Sequence, residues 1–166
     1  MNKFDPKDGS YLEKVAEFHK TFGHPILDKP QIPDAKRAKL RHELIREELE
    51  EFNQAIVQGD IVAAADALCD MQYVLSGAVL EFGLKDKFNE LFNEVQHSNM
   101  SKACKNYGEA LATQQYYKER DGIETYIKEK VKDGLFFVYR TSDNKVLKSV
   151  NYSKADLKSI IERNGD

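Results

Sequence analysis

The chain has two cysteines, no excess of basic residues and no long uninterrupted apolar run, and each shortage removes a class of protein. Cys69 and Cys104 stand too far apart for metal-ligand spacing and are too few to staple a fold, so a reducing, cytoplasmic setting is the simplest expectation. Cys69 lies in an apolar stretch and reads as a small buried hydrophobe. A net charge of -3 and a pI near 5.9 argue against binding to a nucleic-acid polymer, which needs a basic face. The longest apolar stretch is broken by Asp66 and Asp70, so no membrane span is expected. The opening MNKFDPKDGS is followed by no apolar core of a signal peptide. No internal repeat or low-complexity segment is visible. With 166 residues, 32% charged and 41% apolar, the chain reads as a single domain over 1–166 with enough material for a core.

What is present is organised by helix signals. Ser10 and Glu13 form a capping box that opens a helix over about 11–22, stopped by Gly23. The stretch GHPILDKPQIP holds three prolines and reads as an extended loop. Asp34 caps a long acidic helix running to about 58; Gly59 ends it, and Asp60 caps the next helix, which reaches Gly83. The short turn predicts an antiparallel helical hairpin. A fourth helix is expected over about 85–105 and a shorter one over about 109–119. The runs TYIKEKV, LFFVYR and KVLKSV read as three short strands in a β-rich appendage at about 123–150. Ser153 and Asp156 form a second capping box before a brief last helix. The expected fold is mainly α, a four-helix core with a small antiparallel β meander near the C-terminus.

The chemistry concentrates in the hairpin. In IVAAADALCDMQYVLSGAVLEF, Asp66 and Asp70 lie four residues apart on one helical face, and no basic residue in the segment pairs with them. A helix apolar nearly all round is expected to be buried, where an unpaired carboxylate costs several kcal/mol or takes up a proton. A divalent cation would stabilise the pair, so the chain reads as a metal-dependent enzyme. Upstream, Leu40, Leu44, Ile45, Leu49, Phe52 and Ile56 form an apolar stripe with Glu48 and Glu51 inside it and Glu47 at its edge. Glu43 and Glu50 fall on the wet face. Across a tight hairpin, Glu48 and Glu51 meet Asp66 and Asp70.

At this point EELEE at 47–51, DALCDMQYVLSGAVLEFGL at 66–84 and NEVQHSNMSK at 93–102 resemble the all-α nucleoside triphosphate pyrophosphohydrolases. That superfamily comprises MazG and phosphoribosyl-ATP pyrophosphohydrolase-like proteins and the dimeric all-α dUTPases. FHKTFGHPI at 18–26 and DNKVLKSVNYS at 143–153 resemble its phosphoribosyl-ATP-pyrophosphohydrolase-like branch. Glu47, Glu48 and Glu51 match the first half of the family pattern and Asp70 its final aspartate. The commonest form has a glutamate where Ala67 stands, with Asp66 one position further back. The segment 107–131 is the part least fixed by the resemblance.

The resemblance implies hydrolysis of a (deoxy)nucleoside triphosphate between its α and β phosphates, giving monophosphate and pyrophosphate. Mg²⁺, or Mn²⁺, held by Glu48, Glu51, Asp66 and Asp70 suits that chemistry, with Glu47 or Glu48 aligning or deprotonating the attacking water. Asn99 and Lys102, flanked by Ser98 and Ser101, are candidate donors to the phosphates; Lys20, His24 and Tyr73 are candidate substrate contacts, with His19 beside them. Lys145 and Lys148 rank below these as phosphate donors. The alternatives are a related nucleotide such as phosphoribosyl-ATP, or a non-catalytic helical metal-binding module. The apolar third helix exposes more surface than a monomer can leave bare, which predicts a homodimer.

Overall fold

The computed structural model describes residues 10–130 and 133–163, so Val131, the last residue of the expected first β-run, lies outside the described residues. The chain divides into two compact units, Met1–Phe88 and Asn89–Asp166.

The first unit is built from α1 (Tyr11–Phe22), α2 (Ala35–Gln58) and α3 (Ile61–Glu81). Each start follows from a side-chain acceptor for otherwise orphaned backbone N–H groups. Ser10 and Glu13 close a reciprocal box at α1. Asp34 accepts from Lys36 and Arg37 at 3.0 Å, and Asp60 accepts from Val62 and Ala63 at 2.9 and 3.1 Å. Gly59 ends α2 in the left-handed region, with φ of 69°, and turns the chain straight into α3. The helices α2 and α3 pack along one another, and α1 packs on α3. Val15, Ala16 and Leu80 form a buried cluster, with Leu12 and Ile26 against it.

The proline-containing loop after α1 is bound to the end of α3. Leu27 N–H donates to the Leu80 carbonyl at 3.0 Å and Gln31 N–H to that of Phe82 at 3.1 Å, which satisfies acceptors a helix end leaves open. Gly83 makes this approach possible. Its φ is 66°, and a Cβ there would sit 1.9 Å from the Lys29 carbonyl oxygen.

The second unit carries α4 (Phe88–Met100), α5 (Tyr107–Asp121), strands β1 (Thr125–Lys130) and β2 (Leu135–Arg140), and α6 (Leu157–Glu162). The strands pair antiparallel with Ile127 opposite Val138. Their inner side meets α5 in a core of Cys104, Ala110, Tyr117, Val138 and Leu147. The fold is thus mainly α with a small antiparallel β element near the C-terminus, as the patterning predicts. Three expectations need correction. The run KVLKSV contributes one bridge, Tyr139 to Val146, rather than a strand, because the backbone leaves the ladder after Leu147 N–H bonds Val138 at 2.8 Å. The final helix is capped by Asp156, not by Ser153, whose backbone is engaged by Ser98 and Ser101. Cys69 is exposed; Cys104 is the buried cysteine. Among the described residues, no helix is long and apolar enough to cross a membrane.

Candidate functional site

The hairpin of α2 and α3 brings five acids of the predicted site to one neighbourhood. Burial, together with the charges of Asp70, Glu51, Glu47 and Asp66, pushes the Glu48 carboxyl above the ordinary glutamate range. That ordering sets Asp70 as the strongest electrostatic neighbour of Glu48, across the hairpin, ahead of Glu51 one turn along its own helix. None of the five is in an ion pair with a described lysine, arginine or histidine. By contrast Glu43 and Glu50 are both taken up by Arg46, at 2.8 and 2.5 Å, as expected for a wet face.

The expected burial of this region does not hold within one chain. Asp66, Asp70, Glu47 and Glu51 are exposed, and Glu48 is half-buried. The cause is visible on α3 itself: α1 and α2 cover two of its sides, while Ile61, Val62, Leu68 and Leu75 face outward, Ile61 at 79% exposure. Among the described residues, no three acid, histidine or cysteine side chains converge closely enough to hold a metal ion as they stand. The donor set nevertheless fits a hard divalent cation in kind: all oxygen, all anionic and mutually repelling. Rotation of exposed carboxylates is what closure around an ion would require.

The other predicted contacts fall into separate groups. Tyr73 meets Phe18 edge-on at 5.5 Å between ring centroids, and Phe18 stacks on His24 at 5.8 Å. With Tyr11, Lys14, Val15, Leu68, Cys69 and Gln72, Tyr73 lines an apolar groove of about 470 Å³ between α1 and α3. Lys20 and His24 share a different depression with Asp28, Lys85 and Asp86. In the second unit, Lys102 Nζ donates to Asn99 Oδ1 at 2.7 Å. Ser98 and Ser101, read as flanking donors, are structural. Ser98 Oγ lies 2.8 Å from the Tyr152 hydroxyl and donates to the Ser153 carbonyl at 2.9 Å; Ser101 Oγ accepts from Ser153 N–H at 2.9 Å.

One ionic cluster was missed at sequence level. Glu81, at 0% exposure, accepts hydrogen bonds from both Arg37 and Arg41, the latter at 2.5 Å. Burial alone would raise its carboxyl, but the two guanidinium groups outweigh burial and hold it below the ordinary range. His19 completes the group. Its Nδ1–H donates to the Pro25 carbonyl at 2.9 Å, which leaves Nε2 to accept from Arg41 at 3.2 Å. Burial lowers the His19 pKa, and the adjacent Arg41 charge adds to that. Two signals were available: Glu81 is a third acid in the base-free run, and Arg37 and Arg41 are spaced one helical turn apart.

Comparison with known proteins bears on the same hairpin. Residues 15–99, just over half of the 166, match the family model described as phosphoribosyl-ATP pyrophosphohydrolase. The matched span takes in α2, α3 and all five clustered acids. An uncharacterized protein of Acanthamoeba polyphaga mimivirus is 22% identical over 242 aligned positions, which cover 90% of this chain and 95% of that protein.

Proposed function

Because the chain belongs to the phosphoribosyl-ATP pyrophosphohydrolase family, we propose that it hydrolyses a nucleotide between the α and β phosphates with the help of a divalent cation. The observation that carries this reading is Glu48, raised by burial and by four facing or adjacent acids with no cationic side chain among them. The family's description favours a substrate of the phosphoribosyl-ATP kind over an unmodified (deoxy)nucleoside triphosphate.

Glu48, Glu51, Asp66 and Asp70 would hold Mg²⁺ or Mn²⁺. Bound there, the ion would offset phosphoryl charge and acidify water. Glu47 or Glu48 would orient or deprotonate the attacking water. Lys20 and His24 would supply positive and hydrogen-bonding groups and Tyr73 a ring face for the nucleoside; Asn99 and Lys102 are the proposed phosphate donors of the α4 end. The working form is a homodimer: Val57, Ile61 and Val62, each at least 75% exposed, form an apolar surface around the hairpin turn that a second copy would cover.

The deciding experiment offers phosphoribosyl-ATP and a panel of (d)NTPs with Mg²⁺ or Mn²⁺ and measures pyrophosphate against orthophosphate. Cation-dependent pyrophosphate release, strongest on phosphoribosyl-ATP, is the expected result. Strongest release from a plain (d)NTP would keep the reaction and change the substrate; inactivity across the panel would sink the hydrolytic reading. Sedimentation equilibrium tests the assembly, with a mass that stays at 19.0 kDa ending the dimer proposal.

A further inference from the structure

The second unit contains a cavity that the hydrolytic reading does not use. It measures about 400 Å³ and is lined by Tyr116, Tyr117 and Arg120 from α5 and by Lys148, Ser149, Val150 and Tyr152 from the segment after β2. That volume lies within the range of small-ligand sites, about 300–1,000 Å³. Its walls are fixed from behind. Val150 N–H donates to Thr113 Oγ1 at 3.1 Å, Ser149 Oγ donates to Glu109, and the Tyr152 hydroxyl is held by Ser98 at 2.8 Å.

The chemistry of the lining is specific. The Arg120 guanidinium lies over the Tyr116 and Tyr117 rings, 4.9 and 5.1 Å from their centroids. It is held there by Asp121 and by donation to the Tyr116 hydroxyl at 2.7 Å. Asp121 balances its charge, so Arg120 contributes a stacking plane rather than a net cation. Lys148 differs. Its Nζ sits 4.3 Å from the Tyr152 ring centre and forms no ion pair with a described residue. The cavity therefore offers the exposed Tyr116 ring, the Arg120 plane stacked with it, and one ammonium group, on Lys148, without a described ion-pair partner. The Ser98 hydrogen bond, with lesser contributions from Lys148 and Lys102, holds the Tyr152 pKa below its usual value.

We propose that this cavity binds a nucleoside monophosphate, with the base stacked on the tyrosine and arginine faces and the phosphate on Lys148. A base needs π-faces and a phosphate needs a cation, and both line this one cavity. A nucleic-acid polymer is disfavoured by a single uncompensated charge at the site and a net charge of -3 on the chain. Binding here requires no divalent cation and does not rest on the hydrolytic reading.

The test is a calorimetric or NMR titration of the intact protein with AMP in EDTA, against Lys148→Glu, Tyr116→Ala and Asp70→Asn. Lys148 and Tyr116 are exposed, so both replacements leave the core intact. Saturable binding to the wild type is expected, weakened about tenfold or more by either replacement in the cavity, as loss of stacking or of a phosphate contact implies. Asp70→Asn should leave the affinity unchanged. Adenosine and inorganic phosphate, titrated separately, should each bind more weakly than AMP. AMP that fails to bind, binds equally well to Lys148→Glu, or is lost only in Asp70→Asn would overturn the assignment. So would a short single-stranded oligonucleotide that binds much more tightly than AMP. Direct shifts of Tyr116, Tyr117 and Tyr152 ring resonances on adding AMP to the wild type would support it without any variant.

Discussion

The two ends of the α2–α3 hairpin treat carboxylates in opposite ways. Far from the turn, Glu81 is fully buried between Arg37 and Arg41. Nearer the turn, Glu48 faces Asp70 and Asp66 with no cationic partner among the described residues, and these two aspartates stay at the surface. Both arrangements come from one helix pair in one register. The difference is what α2 presents: arginines in its first two turns, glutamates in its middle. An acid with two guanidinium groups can be taken out of water, and it then ties the helices together. Acids facing other acids cannot, so they remain wet and retain an unmet demand for positive charge. The first arrangement supports the fold; the second leaves chemistry to be done.

The comparison breaks most visibly at its compensated end. Glu81→Ala leaves two arginines without their buried partner and should cost about 3–5 kcal/mol, lowering the melting temperature by roughly 10 °C. Gly77→Ala probes the same place by a different route. Its Cβ would lie 2.5 Å from Arg41 Nη1 and 3.1 Å from His19 Nε2, and Arg41 is held too firmly by Glu81 to swing aside. A loss of about 1–3 kcal/mol in urea denaturation is expected. Wild-type stability in either variant would show that the buried cluster contributes nothing.

The uncompensated end should respond with the opposite sign. Asp70→Asn removes like-charge repulsion, so without divalent ions its midpoint should equal or exceed the wild type's. Mg²⁺ should raise the melting temperature of the wild type and leave this variant unmoved. Pyrophosphate release should fall at least about 100-fold, more than outer partners of a metal site typically cost. An Asp70→Asn protein that keeps its Mg²⁺ response would take Asp70 out of the metal shell.

How far these regions were legible in the sequence follows the range of the forces involved. Caps act over three residues, so Ser10, Asp34, Asp60 and Gly59 mark the helix boundaries directly. The meeting of Glu48 with Asp70 was also readable, because a tight turn between two periodic helices sets which residues face. Burial was not. The outward side of α3 is apolar like its inner side, and periodicity cannot say which of two similar faces one chain covers. Glu81 escaped notice because its partners lie 40 and 44 residues away and become partners only once the hairpin register is known. The run KVLKSV has strand-like residues, yet whether it continues a ladder depends on a turn whose Asn144 sits at φ of 56°. Whether the hairpin acids can converge on an ion is likewise a matter of side-chain rotation, which residue identity leaves open.

The smallest predicted effect separates His19 from Glu81 within the buried cluster by pH. His19 is neutral in the fold: Nδ1–H serves Pro25, and Nε2 must accept from Arg41. A proton on Nε2 would end that bond and set a third positive charge beside Arg41 and Arg37, with Glu81 facing them, Asp34 near Arg37 and His24 a second ring nearby. The folded pKa therefore lies below the unfolded value of about 6.5. The unfolded chain takes up the proton first as pH falls, so the His19 contribution is complete above pH ~6.5 and is lost on acidification below it. Glu81, also depressed, contributes fully above its unfolded value of about 4.3 and is lost only at lower pH. Urea midpoints measured at several pH values should thus show two falling stretches. His19→Gln should flatten the upper one, which begins below about pH 6.5, and leave the lower one in place. An unchanged upper stretch in that variant would mean that another group, not His19, senses the acid.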